Sequence, residues 1–228
     1  MSSGSPLINS GLTSSELRQF DWLDHAFGTR YSPLTQDAMM TMLSLTQVHS
    51  ARVVSVSRSV GTTGCAGEGD ALITDRPGVA LSIRTADCLP ILLADPEHRA
   101  VAAIHAGWRG TEQGIVGRTL DAMRSDFDTS PGQITAAIGP GIGACCYEVG
   151  EDVARRFGFA AAGRIDLAAI NREQLIRAGV PPSRIDTLGL CTYCDSARFH
   201  SYRRDGEQAG RMISFVRVLA PGFSREKV

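Results

Sequence analysis

Two histidines and one cysteine are the residues best suited to chemistry in this chain. His49 lies in Thr46-Gln47-Val48-His49-Ser50, and His105 ends an apolar run before Ala106-Gly107-Trp108-Arg109-Gly110. Between them, Arg84-Thr85-Ala86-Asp87-Cys88-Leu89-Pro90 offers a thiol beside a carboxylate. Two imidazoles and a thiolate are three of the four ligands of a tetrahedral zinc ion, and the open fourth position is the mark of a catalytic rather than a structural site. Their separations, 39 and 17 residues, match no short ligand motif. The same side chains also support a metal-free reading, with Cys88 as a nucleophile activated by His105 and Asp87 nearby. The plainest alternative is a strand-end histidine satisfied by backbone and a small buried thiol.

The remaining cysteines are Cys65, Cys145, Cys146, Cys191 and Cys194. Cys191-Thr192-Tyr193-Cys194 has the spacing of half a zinc ribbon or of a redox pair, yet no second Cys-x-x-Cys accompanies it, so a local structural role is expected. Gly139-Pro140-Gly141-Ile142-Gly143 lacks the lysine and spacing of a phosphate-binding loop and reads as a tight turn. Trp108, His200, Arg203 and Arg204 fit either a substrate cover or ordinary packing and solvated turns.

These groups need a scaffold that aims strand ends into one cleft. Short runs rich in Val, Ile, Leu and Ala at 53–56, 71–73, 79–83, 91–93, 101–105 and 134–138 read as buried strands. Turn-formers separate them at 61–69, 76–78, 95–96 and 130–132. Helical spacing at 114–124 puts Ile115, Val116, Thr119, Leu120 and Met123 on one face, and 167–178 and 151–157 read as further helices. Strands return at 185–190 and 212–219, after a basic, polar segment at 202–210. Strands that follow one another without helices in the first half argue for a mixed sheet with helices packed on it, an α+β chain treated as one domain over 1–228.

Composition limits the partners. With 23 basic and 24 acidic residues and a net charge of −1, the chain projects no broad field toward nucleic acid or anionic lipid, and a small-molecule substrate is expected. No apolar stretch approaches the roughly 20 residues of a membrane span. Residues 1–12 hold Ser and Gly where a signal peptide needs a basic start and an apolar run, so a cytoplasmic location with reduced thiols is expected.

In order along the chain, Gln47-Val48-His49-Ser50, Gly69-Asp70-Ala71-Leu72, Arg84-Thr85-Ala86-Asp87-Cys88-Leu89-Pro90-Ile91-Leu92, His105-Ala106-Gly107-Trp108-Arg109-Gly110, Ile138-Gly139-Pro140-Gly141-Ile142-Gly143, Cys145-Cys146-Tyr147-Glu148-Val149 and Ser201-Tyr202-Arg203-Arg204-Asp205-Gly206 resemble the YfiH family, also called the laccase-domain or polyphenol oxidase family. The resemblance covers roughly residues 46 to 219. It implies a mixed α-β sandwich and a zinc ion held by His49, Cys88 and His105. The implied activities are phosphorolysis of adenosine, inosine, guanosine and methylthioadenosine, together with adenosine deamination. A peptidoglycan editing activity on an amide of a UDP-muramoyl amino acid precursor is the alternative. Copper, suggested by the older family name, is disfavoured because multicopper chemistry needs more than the five histidines present. Residues 31–45 are shorter than the Gly- and Asn-rich segment usual after the matching Thr-Arg, and residues 1–45 as a whole are shortened or divergent.

On this reading deamination needs a carboxylate to move protons, for which Asp87 and Asp70 are candidates, although a Gly-Asp turn is reason enough for Asp70. Phosphorolysis needs an anion site. Arg84 and Arg109 flank the metal donors in sequence, Arg30 is third, and a guanidinium fork binds two phosphate oxygens at once. Arg109 is also counted with the catalytic groups, and Cys146 and Tyr147 are candidates to line the purine pocket.

Overall fold

Strand runs that are buried at every position require a sheet covered on both faces, and the two longest apolar runs meet that condition. The fold is known from a computed structural model, which describes residues 11–32, 41–56 and 61–220. The first half holds helix α1 (Ser15–Arg18) and strands β1 (Leu23–Ala26), β2 (Met42–Thr46), β3 (Val53–Ser55), β4 (Gly64–Glu68), β5 (Ala71–Thr74), β6 (Ala80–Thr85), β7 (Leu89–Asp95) and β8 (Ala100–Ala106). Helices α2 (Trp108–Glu112) and α3 (Ile115–Phe127) precede β9 (Thr135–Ile138) and the short β10 (Glu148–Val149). Then come α4 (Glu151–Arg156), β11 (Gly163–Arg164), α5 (Leu167–Arg177), β12 (Ile185–Thr187), α6 (Tyr202–Asp205) and β13 (Met212–Val218).

Two mixed sheets result. One has the order β1-β13-β6-β2-β4, the other β12-β9-β7-β8-β5-β3, and β10 pairs with β11 apart from both. Side-chain alternation assigns each face of the larger sheet. Ile91, Leu93, Ala102 and Ile104 pack with Ile115, Val116, Leu120 and Met123 of α3 and Leu175 of α5. Leu92, Ala94, Val101 and Ala103 meet Leu43, Leu45, Leu81, Ile83 and Val216 of the smaller sheet. The expected mixed α-β sandwich is therefore a layer of helices on one sheet, backed by a second sheet.

The sequence-based elements recur within a few residues, and α3 buries the five residues named for that face. Two readings change. The Gly-rich segment at 61–69, expected as turn, contains β4, because pairing parallel to β2 satisfies its backbone at a sheet edge despite the glycines; residues 57–60 lie outside the described residues. The expected strand at 185–190 stops at Thr187, after which the chain turns toward the site. The readings made on 1–10 and on 33–40 fall outside the described residues. No described helix is long and apolar enough to cross a membrane.

Candidate metal centre

Two of the three connections that carry the chain from the smaller sheet to the larger one contribute a candidate ligand, and the third, between β4 and β5, carries Asp70. His49 lies between β2 and β3, and Cys88 between β6 and β7. His105 sits near the end of β8, directly across from Pro90 in the antiparallel register with β7. One donor atom from each of the three residues lies within 4.8 Å of the other two, and the imidazole rings meet edge to face at 4.9 Å. The trio is graded from an exposed His49 through a half-buried Cys88 to a buried His105, so the site opens on one side.

Asp70 organises the centre from behind. Its Oδ1 accepts from His105 Nδ1 at 2.8 Å and from the His49 backbone N–H at 3.0 Å. Its Oδ2 accepts from the Ser50 N–H and hydroxyl at 2.6 and 2.7 Å, and more weakly from Val48 N–H at 3.3 Å. Three successive N–H groups converge on one carboxylate because His49 adopts a left-handed backbone, φ 58°, the local geometry of an anion nest. Burial opposes the charge on Asp70, yet the hydrogen bonds from His105 and Ser50 outweigh it and hold the carboxyl at about 2.

The donor set fits a divalent ion of the zinc class. With Nδ1 committed to Asp70, His105 has only Nε2 to offer a metal, the arrangement in which a carboxylate orients a ligating histidine. Burial pushes the Cys88 thiol up, but hydrogen bonds with His105 and His49 bring it down to about 6, the direction a thiolate ligand needs. Burial works against charge on His105 as well, and contacts with Asp70 and Cys88 raise it to about 9. Gly107 leaves the space for these groups: a Cβ there would stand 3.0 Å from Cys88 Sγ and 3.3 Å from His49 Cδ2.

Asp87, adjacent to Cys88, is buried and left-handed at φ 84°. Its Oδ1 accepts from the Thr192 hydroxyl at 2.7 Å, its Oδ2 from the Arg203 N–H at 2.6 Å, and its carbonyl from Ile142 N–H at 2.8 Å. Tyr147 shares this neighbourhood. Its phenol is pushed up to about 12 by burial first and by the Cys88 charge next, against the opposing charges of Arg203 and Arg109. Arg203 covers the Tyr147 ring at 5.4 Å, and Arg109 stacks on Trp108 at 4.5 Å.

The other candidates are dispersed. The main chain of Arg84 is clasped by the Gln47 side chain through two 2.8 Å bonds, which continue the β2–β6 pairing beyond the strand end. The Cys65 thiol, lowered chiefly by its contact with Thr46, also feels the Arg84 charge. Arg30 contacts His200 Nδ1 at 3.3 Å and lines a cleft with Ser196, His200, Arg204, Asp205 and Gln208, to which none of the three metal donors contributes. Cys146 faces other cysteines, with its sulfur 3.3 Å from Cys194 Sγ. Arg204, weighed as a substrate cover, is spent on Asp205 and on the carbonyls of Thr192, Tyr193 and Phe199. Thr192 carries no sequence signal beyond its place between two cysteines, and the role of Arg203 emerges only from its contacts with Asp87 and Tyr147.

Residues 29–219 match the family model described as multi-copper polyphenol oxidoreductase laccase. The chain is 46% identical over 182 residues to a purine nucleoside phosphorylase of Deinococcus radiodurans, covering 75% of this chain and 68% of that protein. A purine nucleoside phosphorylase of Bacteroides thetaiotaomicron is 42% identical over 163 residues, 65% of this chain and 60% of its relative. This chain thus spans less than two thirds of the length of that relative. An adenosine deaminase from an unknown prokaryotic organism is 37% identical over 190 residues, 75% of this chain and 72% of that protein. Among solved structures, the hypothetical protein YfiH of Bacillus licheniformis superposes with a TM-score of 0.83 at 26% identity, covering 94% of this chain and 97% of that one.

Proposed function

Since the chain belongs to the laccase-like YfiH family, we propose that it is a zinc-dependent enzyme acting on purine nucleosides, with phosphorolysis as the main reaction and adenosine deamination as a second. The observation that carries this reading is the convergence of His49, Cys88 and His105, with Asp70 fixing His105 from behind. Zinc held by these three would supply Lewis-acid charge stabilisation at the open side of the site. Copper is disfavoured on the small number of imidazoles in the centre.

In phosphorolysis a phosphate oxygen bonds to the anomeric carbon while the glycosidic C–N bond breaks, its electron pair leaving with the purine. The chain's own groups have distinct tasks in that exchange. Arg109, held in place by its stack on Trp108, presents a planar fork to phosphate. Tyr147 stays protonated far above neutral pH, so its hydroxyl can donate to substrate. Asp87 is the carboxylate assigned to proton transfer, oriented by Thr192 and Arg203. Asp70, saturated by its donors, positions His105 and does not exchange protons. Arg84 and Arg30 stand at the margin of this scheme.

One observation supports a second reading. The lowered Cys88 thiol, the raised His105 imidazole and Asp70 form a thiolate nucleophile, the imidazolium that holds its proton and an orienting carboxylate in sequence, as a metal-free cysteine hydrolase requires. The two readings separate in one experiment. Purified protein would be analysed for metal and incubated with inosine, adenosine and a UDP-muramoyl amide, with and without phosphate, with and without chelator. Phosphate-dependent release of hypoxanthine from inosine that chelation abolishes supports the proposal. Turnover indifferent to chelator but lost on alkylation supports the hydrolase, and amino acid release from the amide would move the substrate to cell-wall precursors.

A further inference from the structure

A second group of soft donors lies outside the trio. Cys145 and Cys146 follow the turn after β9, and Cys191 and Cys194 belong to the segment after β12, yet the four sulfurs lie within 4.8 Å of one another. Cys194 Sγ is 3.6 Å from Cys145 Sγ and 3.3 Å from Cys146 Sγ. A tetrahedral zinc–thiolate site with bonds of about 2.3 Å places its sulfurs about 3.8 Å apart. A disulfide joins sulfurs in pairs at about 2.05 Å, whereas here one sulfur stands at similar range from two others.

The backbone prepares this meeting. Gly141 and Cys191 form a parallel bridge, Thr192 N–H donates to Gly141 O at 2.9 Å, and Gly143 N–H donates to Cys191 Sγ at 3.3 Å. An N–H aimed at a sulfur is a common support for a thiolate ligand. Gly143 also keeps the sulfurs accessible, since a Cβ there would stand 3.3 Å from both Cys145 Sγ and Cys191 Cβ.

We propose that Cys145, Cys146, Cys191 and Cys194 bind a second metal ion, a divalent cation of the zinc class in an all-thiolate site, which clips the 143–147 turn to the 191–194 segment. Four thiolates close the coordination shell, so the site is structural. Its position gives it a consequence for the first centre. Tyr147 follows Cys146 directly, and Thr192, inside the Cys-x-x-Cys loop, holds the Asp87 carboxylate next to Cys88. The clip therefore fixes Tyr147 and, through Thr192, the Asp87 carboxylate beside Cys88 without touching substrate.

The test uses the full chain purified under reducing conditions, with metal content, cobalt(II) spectra and thiol protection as readouts. The wild type should hold about two zinc ions per chain, and cobalt should give the intense sulfur-to-metal charge-transfer bands of a four-thiolate site. Cys194→Ser and Cys145→Ser should each lose one equivalent and those bands. His49→Ala should lose the other equivalent and keep the bands, so failure of this site and failure of the first are distinguishable. In the wild type itself, iodoacetamide followed by mass spectrometry should modify these four thiols only after chelation, a readout that needs no variant to fold. One equivalent of metal in the wild type that survives Cys194→Ser, alkylation indifferent to chelator, or a mass deficit from disulfides with no second metal would overturn the proposal.

Discussion

His105 and Asp70 are joined twice, by the 2.8 Å bond from His105 Nδ1 to Asp70 Oδ1 and by a 2.7 Å bond from the His105 backbone N–H to the Asp70 carbonyl. The second bond fixes the strand end and the first fixes the ring. Asp70→Asn keeps the size but removes the charge and turns an amide N–H toward groups that are themselves donors. Zinc affinity should fall by about 10- to 100-fold, read by competition against a chromophoric chelator. Unchanged affinity would remove Asp70 from the positioning role.

Gly107 gives a steric test of the same centre. The Cβ of Gly107→Ala would press on Cys88 Sγ and the His49 ring, so one donor must move. The donor must give by a few tenths of an ångström, and since a misplacement of about 1 Å can cost about 100-fold in rate, we expect a smaller loss in kcat/KM, about 3- to 10-fold, with thermal stability little changed; full activity would mean that the donors are not constrained as described.

Cys88 should react as a thiolate. With its thiol at about 6, most of it is ionised at pH 7, and the chelated protein should lose Cys88 to iodoacetamide faster at pH 7 than at pH 5. Added zinc should protect it, because a metal-bound sulfur is a poor nucleophile. Equal modification with and without zinc would favour the metal-free hydrolase.

Arg109 carries the phosphate assignment. Arg109→Lys retains charge but loses both the fork and the stack on Trp108. At limiting phosphate, kcat/KM should fall about 10- to 100-fold, equivalent to about 1.4–2.7 kcal/mol. The loss should appear in the KM for phosphate and leave nucleoside KM nearly unchanged. A reversed split would assign Arg109 to the nucleoside.

The turn joining β7 to β8 gives a pH-dependent stability prediction remote from the site. Asp95 is fully buried and accepts from Glu97 N–H at 2.9 Å and from His98 Nδ1 at 2.9 Å. Burial works against its charge, but the neighbouring Thr129 hydroxyl, the His98 ring and the backbone N–H groups of Glu97 and His98 hold its carboxyl below the ordinary 3.8. That contribution is complete above the unfolded value and is lost as pH falls through the lower folded one. His98 is raised above 6.5, mainly by Asp95, so its share is present below 6.5 and is lost as pH rises through the folded value. Asp95→Asn should therefore cost about 1–3 kcal/mol, most between about pH 4 and 6.5. Urea titrations across pH would read this, and a pH-independent difference would contradict it.

The sequence by itself determined the apolar periods that make the sandwich and the identity of the donors. Continuous burial along β7 and β8 is written in their runs of Ile, Leu, Val and Ala, and the α3 face in its helical spacing, because local periodicity follows from which faces must leave water. His49, Cys88 and His105 could be named through the resemblance their flanking segments carry, but separations of 39 and 17 residues contain no geometry. Tertiary structure decided the rest. It brought the trio together because two crossovers between sheets and one strand end meet at the same end of the larger sheet, and it set Asp70 behind His105 through the pairing of β5 with β8. It committed Asp87 to Thr192 and Arg203, and it joined Cys145-Cys146 to Cys191 and Cys194, which the chain keeps more than forty residues apart. Each of these depends on which segments the two sheets bring side by side, and neither spacing nor composition encodes that pairing over such distances.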